Sequence, residues 1–378
     1  MLITARWVVP VSSPPIENGA VLIENDRIVS VGLNQSQRRV EGIDLGDSVL
    51  FPGLVNAHCH LEFSGLKGEI EAGLSFTEWI KNVVGLRTQL IAPLRDAIDS
   101  LLRGGTTTVA DHCNPNTPPI ETPFRRIIFW EVLGAHPERA YESFRKARER
   151  AEKEGGFVTP HSLYAVHEEV LEEIFSGRQM GLPLQSIHIL ESSDEEQFFR
   201  KQTGPLAVYV QERGGDLSFP VSSPIKWLAA NHWLGSRTLV VHGNYLNSEE
   251  IELLQRQGAG VIHAPGSHRF FGHKPFPLAE LKKRGIRIAL GTDSLASNED
   301  LSMLREMRLL REFVGKEEVL QMATIEGARL LKRDHDIGSI EPGKKADLVA
   351  VPFQSDPYES VFQAEEVSFS MIDGKRYV

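Results

Sequence analysis

Apolar positions along the chain fall into two textures. Through the first fifty residues, LITARWVV, GAVLIENDRIVSVG and VEGIDLGDSVLFPG alternate apolar with polar side chains and are punctuated by Asn-Asp, Gly and Pro. That period of two predicts short antiparallel strands joined by turns. The same texture returns near the other end, in GSIEPGKKADLVAVPF and VSFSMIDGKRYV. Between the two, short β-branched or apolar runs alternate with longer amphipathic stretches. The runs are LVNAH (54–58), TTTVAD (106–111), RIIFWEV (126–132), FVTPH (157–161), QSIHIL (185–190), RTLVVH (237–242), GVIHAP (260–265) and RIALGTD (287–293). Helical spacing marks SFTEWIKNVVGL, PLRDAIDSLLRGG, HPERAYESFRKARERAEKEGG, NSEEIELLQRQG and EDLSMLREMRLLREFVG. The last two are preceded by Asn or Ser-Asn and then acidic residues, the pattern of an N-cap.

Strands that are apolar throughout, alternating with helices, imply a parallel sheet covered on both faces, and eight repeats fit an α/β fold of the (β/α)8 TIM-barrel type. The expected division is a barrel over 51–340 and a small discontinuous β-sandwich domain built from 1–50 with 341–378, since chain ends commonly lie together at the surface. One interval is uneven. The stretch 192–236, which contains GGDLSFPVSSPIKWL, is too long for a plain connection and is expected to be a lid or an interface loop.

Composition narrows the partners. The 378 residues suggest about two domains, and 41 Lys+Arg against 51 Asp+Glu give a net charge of −10 with no basic stripe. Nucleic acid and anionic membrane are therefore not expected as partners. No apolar run approaches the roughly 18 residues of a membrane helix, and the start, MLITARWVVPVSSPP, lacks the pattern of a secretory signal. With only Cys59 and Cys113, a disulfide framework is excluded and a cytoplasmic location is expected. A small-molecule substrate fits this composition, and a homo-oligomer such as a dimer is compatible with it.

The 13 His change the picture. Almost every predicted strand stops on a metal-binding or proton-transferring residue: His58 and His60, Asp111, Glu131, His161, His188 with Glu191, His242, His263 and Asp293. In a barrel those ends converge on one mouth. His58-x-His60 has the spacing that puts two imidazoles on one face of a strand; alone, the pair reads equally well as hydrogen-bonded core histidines. Joined by His188 and Asp293 it becomes a His3Asp donor set suited to one divalent cation, zinc before iron, able to lower the pKa of a bound water. Glu191, three residues past His188, is placed for general acid–base work, or else it opens the surface acidic run SSDEEQ. His242 reads as a water-orienting imidazole, a fourth ligand or a core histidine. Asp293, in GTDSLASN, can ligate and accept a proton, with Ser297 or Asn298 expected to cap the next helix. Asp111, His112 and Glu131 are read as braces of the mouth, and Cys59 as facing the helices.

In order along the chain, PGLVNAHCHLE, GGTTTV, PHSLYAV, HILES, VVHGNYL, HAPGSH and ALGTDSLASN resemble the amidohydrolase superfamily. Within it they are most similar to the mononuclear aminohydrolase branch that holds S-adenosylhomocysteine, guanine and aminodeoxyfutalosine deaminases and chlorohydrolases. The resemblance spans essentially the whole chain. It implies His58, His60, His188 and Asp293 as ligands of one metal, Glu191 as proton shuttle, His242 as partner of the attacking water, and His161 as a contact to the substrate ring. FVTPHSLY offers no Lys for the carboxylated bridge of the binuclear branch. The implied reaction is hydrolytic deamination of an aminopurine or nucleoside-like ring, such as aminodeoxyfutalosine, S-adenosylhomocysteine or methylthioadenosine, or guanine, with activated water attacking a ring carbon and ammonia leaving. The alternatives are hydrolysis of another C–N or a C–Cl bond, as in cyclic amides or triazines, or a non-catalytic scaffold.

Two departures bear on specificity. Many relatives carry Pro-x-Ser-Asn after the seventh strand; here HAPGSHRFFGHKPFPL fills the loop 264–277, so His268 and Arg269 are expected to form part of an aromatic, cationic cap over an extended substrate, or else of a surface loop packed by its two Phe. The long 192–236 segment is the other. Glu62 and Trp79 are further candidate substrate contacts.

Overall fold

The computed structural model describes residues 1–33, 42–86, 94–176, 184–215 and 222–378. Five strands open the chain: β1 (Leu2–Val8), β2 (Ile16–Glu24), β3 (Arg27–Leu33), β4 (Gly42–Asp44) and β5 (Ser48–Pro52). Eight occupy the middle: β6 (Leu54–Cys59), β7 (Thr106–Cys113), β8 (Arg125–Val132), β9 (Phe157–Pro160), β10 (Gln185–Ile189), β11 (Thr238–His242), β12 (Gly260–His263) and β13 (Ile288–Leu290). Three close it: β14 (Leu348–Pro352), β15 (Phe369–Ile372) and β16 (Lys375–Arg376). The middle eight fall on the eight apolar runs.

Those eight strands form two parallel four-stranded sheets, β6-β7-β8-β9 and β10-β11-β12-β13. Their edges meet through isolated parallel bridges, Ser162 with His188 and Cys59 with Asp293. Val55, Ala57, Ala110, Phe129, Leu239, Val241, Ile262 and Ala289, drawn from six strands of both sheets, share one buried cluster. β6 breaks register between Asn56 and Cys59, an irregularity that bends a strand and re-aims its side chains. Cys59 thus packs outward with Leu61, Ala97, Leu101 and Val109, while the flanking histidines turn inward.

The terminal strands form one eight-stranded sheet in the order β16-β15-β14-β5-β1-β2-β3, with β4 also on β1. The alternating pattern predicts antiparallel pairing throughout, but β4 and β5 run parallel to β1. β2 takes one edge of β1, and the other edge is left for the returning chain, which meets it in the same direction. Backbone bonds from Gly343 N to Ile28 O and from Ile28 N to Lys344 O bring β3 against the approach to β14. The sheet curls around Ile3, Val21, Ile23, Leu50, Leu348, Phe369 and Met371.

The helices are α1 (Phe76–Leu86), α2 (Leu94–Arg103), α3 (Pro137–Glu154), α4 (Glu168–Ser176), α5 (Ser193–Lys201), α6 (Pro205–Glu212), α7 (Pro224–Ala230), α8 (Ser248–Gln257), α9 (Pro265–Phe271), α10 (Leu278–Lys283), α11 (Met303–Leu310), α12 (Lys316–Met322), α13 (Ile325–Leu330) and α14 (Pro357–Gln363). Among the described residues, no helix is long and apolar enough to cross a membrane. Asn247 caps α8 through a full capping box with Glu250, as its sequence predicts. Three sequence expectations change. The cap of α11 is Ser302, not Ser297 or Asn298, because those two side chains are bonded into the strand exit instead. The described part of 192–236 is mostly helical, in α5, α6 and α7. Part of GGDLSFPVSSPIKWL lies outside the described residues. The segment 264–277 begins as α9, with Pro at its start and Gly272 in the left-handed region (φ 64°) at its end, the conformation that favours glycine at a helix stop.

Candidate active site

The exits of β6, β10, β11 and β13 bring His58, His60, His188, His242 and Asp293 into one buried group. His58 Nε2 lies 3.7 Å from Asp293 Oδ1, His60 Nε2 4.0 Å from the same oxygen, and His60 Nε2 3.3 Å from His188 Nε2. The His188 Nδ1 lies 2.9 Å from the His161 carbonyl oxygen, which can only accept. Nδ1 therefore carries the proton and Nε2 turns a lone pair inward. Burial pushes the pKa values of His58 and His188 down, so the rings are neutral donors near neutral pH. Two imidazole nitrogens facing each other beside a carboxylate, with His58 Nε2 buried and without a protein partner, fit a divalent cation. Ligand atoms of His58, His60 and Asp293, and of His58, His188 and His242, lie within 4.8 Å of one another.

Asp293 is held from behind. Its Oδ2 accepts from Ser267 Oγ (2.6 Å) and Ser297 Oγ (2.9 Å), which leaves Oδ1 for the centre. The backbone at Asp293 is left-handed (φ 58°), as it is at His242 (φ 68°) and Leu190 (φ 50°). Such geometry costs roughly 1–2 kcal/mol for a non-glycine residue and clusters at functional sites. Bonds from Thr292 N and Asp293 N to the His58 carbonyl fix the turn.

Glu191 Oε2 lies 3.7 Å from His242 Nε2, and both groups are buried. Burial pushes the Glu191 carboxyl well above its ordinary range, with Asp293 and Glu195 adding to it. Burial lowers His242. Glu195 anchors the segment by accepting from Leu190 N (2.8 Å) and Glu191 N (2.7 Å). Its own pKa is raised to about 8, burial outweighing those two donors.

A cavity of about 260 Å³ opens onto this group. His161 lines it, stacked on His188 at 4.3 Å. Glu62 and Trp79 also line it; Glu62 accepts from Asn114 N (3.1 Å) and Thr117 Oγ1, and Trp79 Nε1 donates to the Ala296 carbonyl (2.9 Å). His268 and Arg269 are not among its lining residues: His268 bonds to the Lys274 carbonyl, and Phe271 of α9 packs edge-on against Phe76 and Trp79. The cations on the wall are Arg139 and Arg213, with Phe63, Tyr164, Tyr209 and Glu131. Arg213 sits 3.6 Å over the Tyr209 ring. Both belong to the long 192–236 stretch, whose unusual length was the one sequence signal for them. Glu131 lies 3.8 Å from His60 Nδ1 and 3.6 Å from His188 Nδ1. Asp111 braces the exit of β6, accepting from Leu61 N and from Arg126, and His263 stacks on Phe276 away from the centre. A groove of about 780 Å³ along α3 is lined by Glu and Arg side chains with Tyr141 and Phe144, and by none of these histidines.

A metal-binding cluster at the ends of parallel strands is the architecture of a metal-dependent hydrolase. The chain belongs to the amidohydrolase family, whose sequence model matches residues 49–377. It is 27% identical to a 5-methylthioadenosine/S-adenosylhomocysteine deaminase of Desulfitobacterium hafniense, over 99% of this chain and 92% of that one. The structure is similar to the aminofutalosine deaminase of Helicobacter pylori in complex with methylthio-coformycin (TM-score 0.86, 24% identity, 100% of both chains). It is also similar to a zinc-bound adenosine deaminase of Xanthomonas campestris (TM-score 0.81, 25% identity, 99% of this chain and 92% of that one).

Proposed function

We propose that this protein is a divalent-metal-dependent deaminase that hydrolyses the exocyclic amino group of an adenosine-like substrate, and that residues 51–340 form a closed (β/α)8 barrel beside a composite β-sandwich of 1–50 and 341–378. The observation that carries the reading is the convergence of His58, His60, His188 and Asp293 with Glu191 and His242 at the floor of an aromatic cavity. The deaminases among the relatives agree with it. Two free, buried cysteines accord with the cytoplasm.

His58, His60, His188 and Asp293 hold the cation, with zinc favoured over iron. When bound, the cation acidifies a water at neutral pH and polarises the attacked centre. Glu191, buried and 3.7 Å from His242 Nε2, would take a proton from the attacking water as a carboxylate and return it to the ring nitrogen beside the attacked carbon. His242, neutral and 3.7 Å from Glu191, orients the water. Water adds, the C–N bond breaks, and ammonia carries off the remaining proton. Phe63, Trp79 and Tyr164 supply flat apolar surface for the base, and His161 bonds its edge. Arg139 and Arg213 favour a substrate with an anionic group at the end remote from the base, such as S-adenosylhomocysteine or aminodeoxyfutalosine, over methylthioadenosine.

The test is ammonia release by zinc- or iron-loaded protein from methylthioadenosine, S-adenosylhomocysteine, aminodeoxyfutalosine and guanine. Release from a nucleoside bearing a carboxylate is expected to be fastest. No ammonia from the panel, alongside ring opening of a cyclic amide or chloride release from a triazine, removes the deaminase reading.

A further inference from the structure

His112, outside the set of residues that would touch either cation or substrate, lies one residue before the end of β7 with its side chain fully buried. Its Nδ1 lies 3.1 Å from His58 Nδ1, its Nε2 lies 2.8 Å from Ser186 Oγ, and its ring is stacked on Phe129 at 4.8 Å. Two buried imidazoles in contact cannot both be cations without severe desolvation and repulsion. The short N···N contact therefore holds one proton, and two arrangements exist. If His58 carried its proton on Nε2, that N–H would be buried without a hydrogen-bond partner, Asp293 Oδ1 lying at 3.7 Å, beyond hydrogen-bond reach. If the proton is on Nδ1, it is donated to His112, and His112 in turn donates from Nε2 to Ser186. Every buried N–H then has an acceptor, and His58 presents the Nε2 lone pair to the centre.

We infer that His112 is a positioning residue that fixes the tautomer and ring orientation of His58, in the place where metal-ligating histidines more often find a carboxylate, a carbonyl or a water. The inference rests on the proposed function only in taking His58 as a metal ligand. His112→Phe keeps the stack on Phe129 and removes the acceptor; His112→Asn keeps an acceptor at the same bond distance from the backbone. Zinc affinity, measured by competition with a chromophoric chelator, should fall about 10–100-fold in His112→Phe, the usual effect of losing such a partner, and should return close to wild type in His112→Asn. Thermal unfolding of the metal-free proteins separates this from lost packing: His112→Asn, which gives up the stack on Phe129, should melt below His112→Phe and still bind zinc more tightly than it.

A second measurement reads the wild-type protein directly and uses a variant only for assignment. In metal-free protein carrying ¹⁵N-labelled histidine, with His58 assigned by the signal missing in His58→Gln, Nδ1 should be the protonated nitrogen. Wild-type zinc affinity in His112→Phe, equal losses in both variants, or a proton on His58 Nε2 would each overturn the assignment. Wild-type protein that binds no zinc at all would overturn the metal-dependent function together with it. Wild type that binds zinc and deaminates while His112→Phe binds equally well would remove the role of His112 alone.

Discussion

Replacing Arg126 by Met removes the ion pair that holds the exit of β6, together with the Arg126 Nη1 bond to the Ile120 carbonyl (2.7 Å). Asp111 is fully buried, and its Oδ2 accepts from Arg126 Nε (2.9 Å) and Nη2 (2.6 Å) while Oδ1 accepts from Leu61 N (3.1 Å). Met fills much of the arginine stem's volume but removes two charge-assisted bonds, each contributing about 1.5–3 kcal/mol. Breaking a buried pair from one side costs about 3–5 kcal/mol, because the partner charge is left uncompensated. Burial already pushes the Asp111 carboxyl up against the pull of Arg126, and losing that arginine pushes it further. A carboxyl whose folded pKa is raised contributes stability that is present below its unfolded pKa and lost as pH rises through the folded value. The variant should therefore lie nearer to wild type at pH 5.5 than at pH 8. Urea unfolding of the metal-free proteins reads the loss from the shift in midpoint at a common slope, and Asp111→Asn in the same chain should recover part of it by removing the stranded charge. A loss under about 1 kcal/mol, the scale of an exposed pair, or the same loss at both pH values, would refute the reasoning. Leu61 follows His60, so zinc affinity should fall as well.

Other outcomes follow from the same geometry. Glu191→Gln should retain zinc and lose about 10²–10⁴-fold in kcat, the worth of a positioned proton carrier, with metal content and steady-state ammonia release as the paired measurements; turnover within tenfold of wild type removes the shuttle. Arg213→Ala should raise KM for a carboxylate-bearing nucleoside while leaving methylthioadenosine almost unaffected, and equal changes for both would place Arg213 outside recognition. Glu306 accepts from Gly266 N and Asn298 Nδ2 and is pushed up to about 8, chiefly by burial. Since that lies above the unfolded 4.5, the folded state holds a proton that the unfolded state has shed, and metal-free stability should fall from pH 6.5 to 8.5. Glu306→Gln should flatten that slope, even though its amide loses one of the two contacts and lowers stability at every pH; an unchanged slope would contradict this.

The eight strand runs and the residues at their ends were legible because a strand buried on both faces must be apolar throughout, which makes a polar terminal residue stand out. His58, His60, His188, Glu191, His242 and Asp293, which the structure brings together, stood out by that contrast. Arg213 and Tyr209 were not, because α6 reaches the cavity through a fold of the chain that local periodicity does not encode. The expected cap from His268 and Arg269 failed to reach the cavity for a related reason: Pro265 and Gly272 turn the segment into α9, which presents Phe271 to Phe76 and Trp79 instead.

By itself, the sequence determined the order of strands and helices and which polar side chains end the strands, since both follow from side-chain chemistry and short-range period. Tertiary structure decided which donors face one another. Ser267 and Ser297 take one oxygen of Asp293, and His112 of β7 meets His58 of β6. These contacts join residues up to 236 positions apart, as between Asn56 and Thr292, and their geometry is set by how strands are placed side by side, which no local pattern specifies.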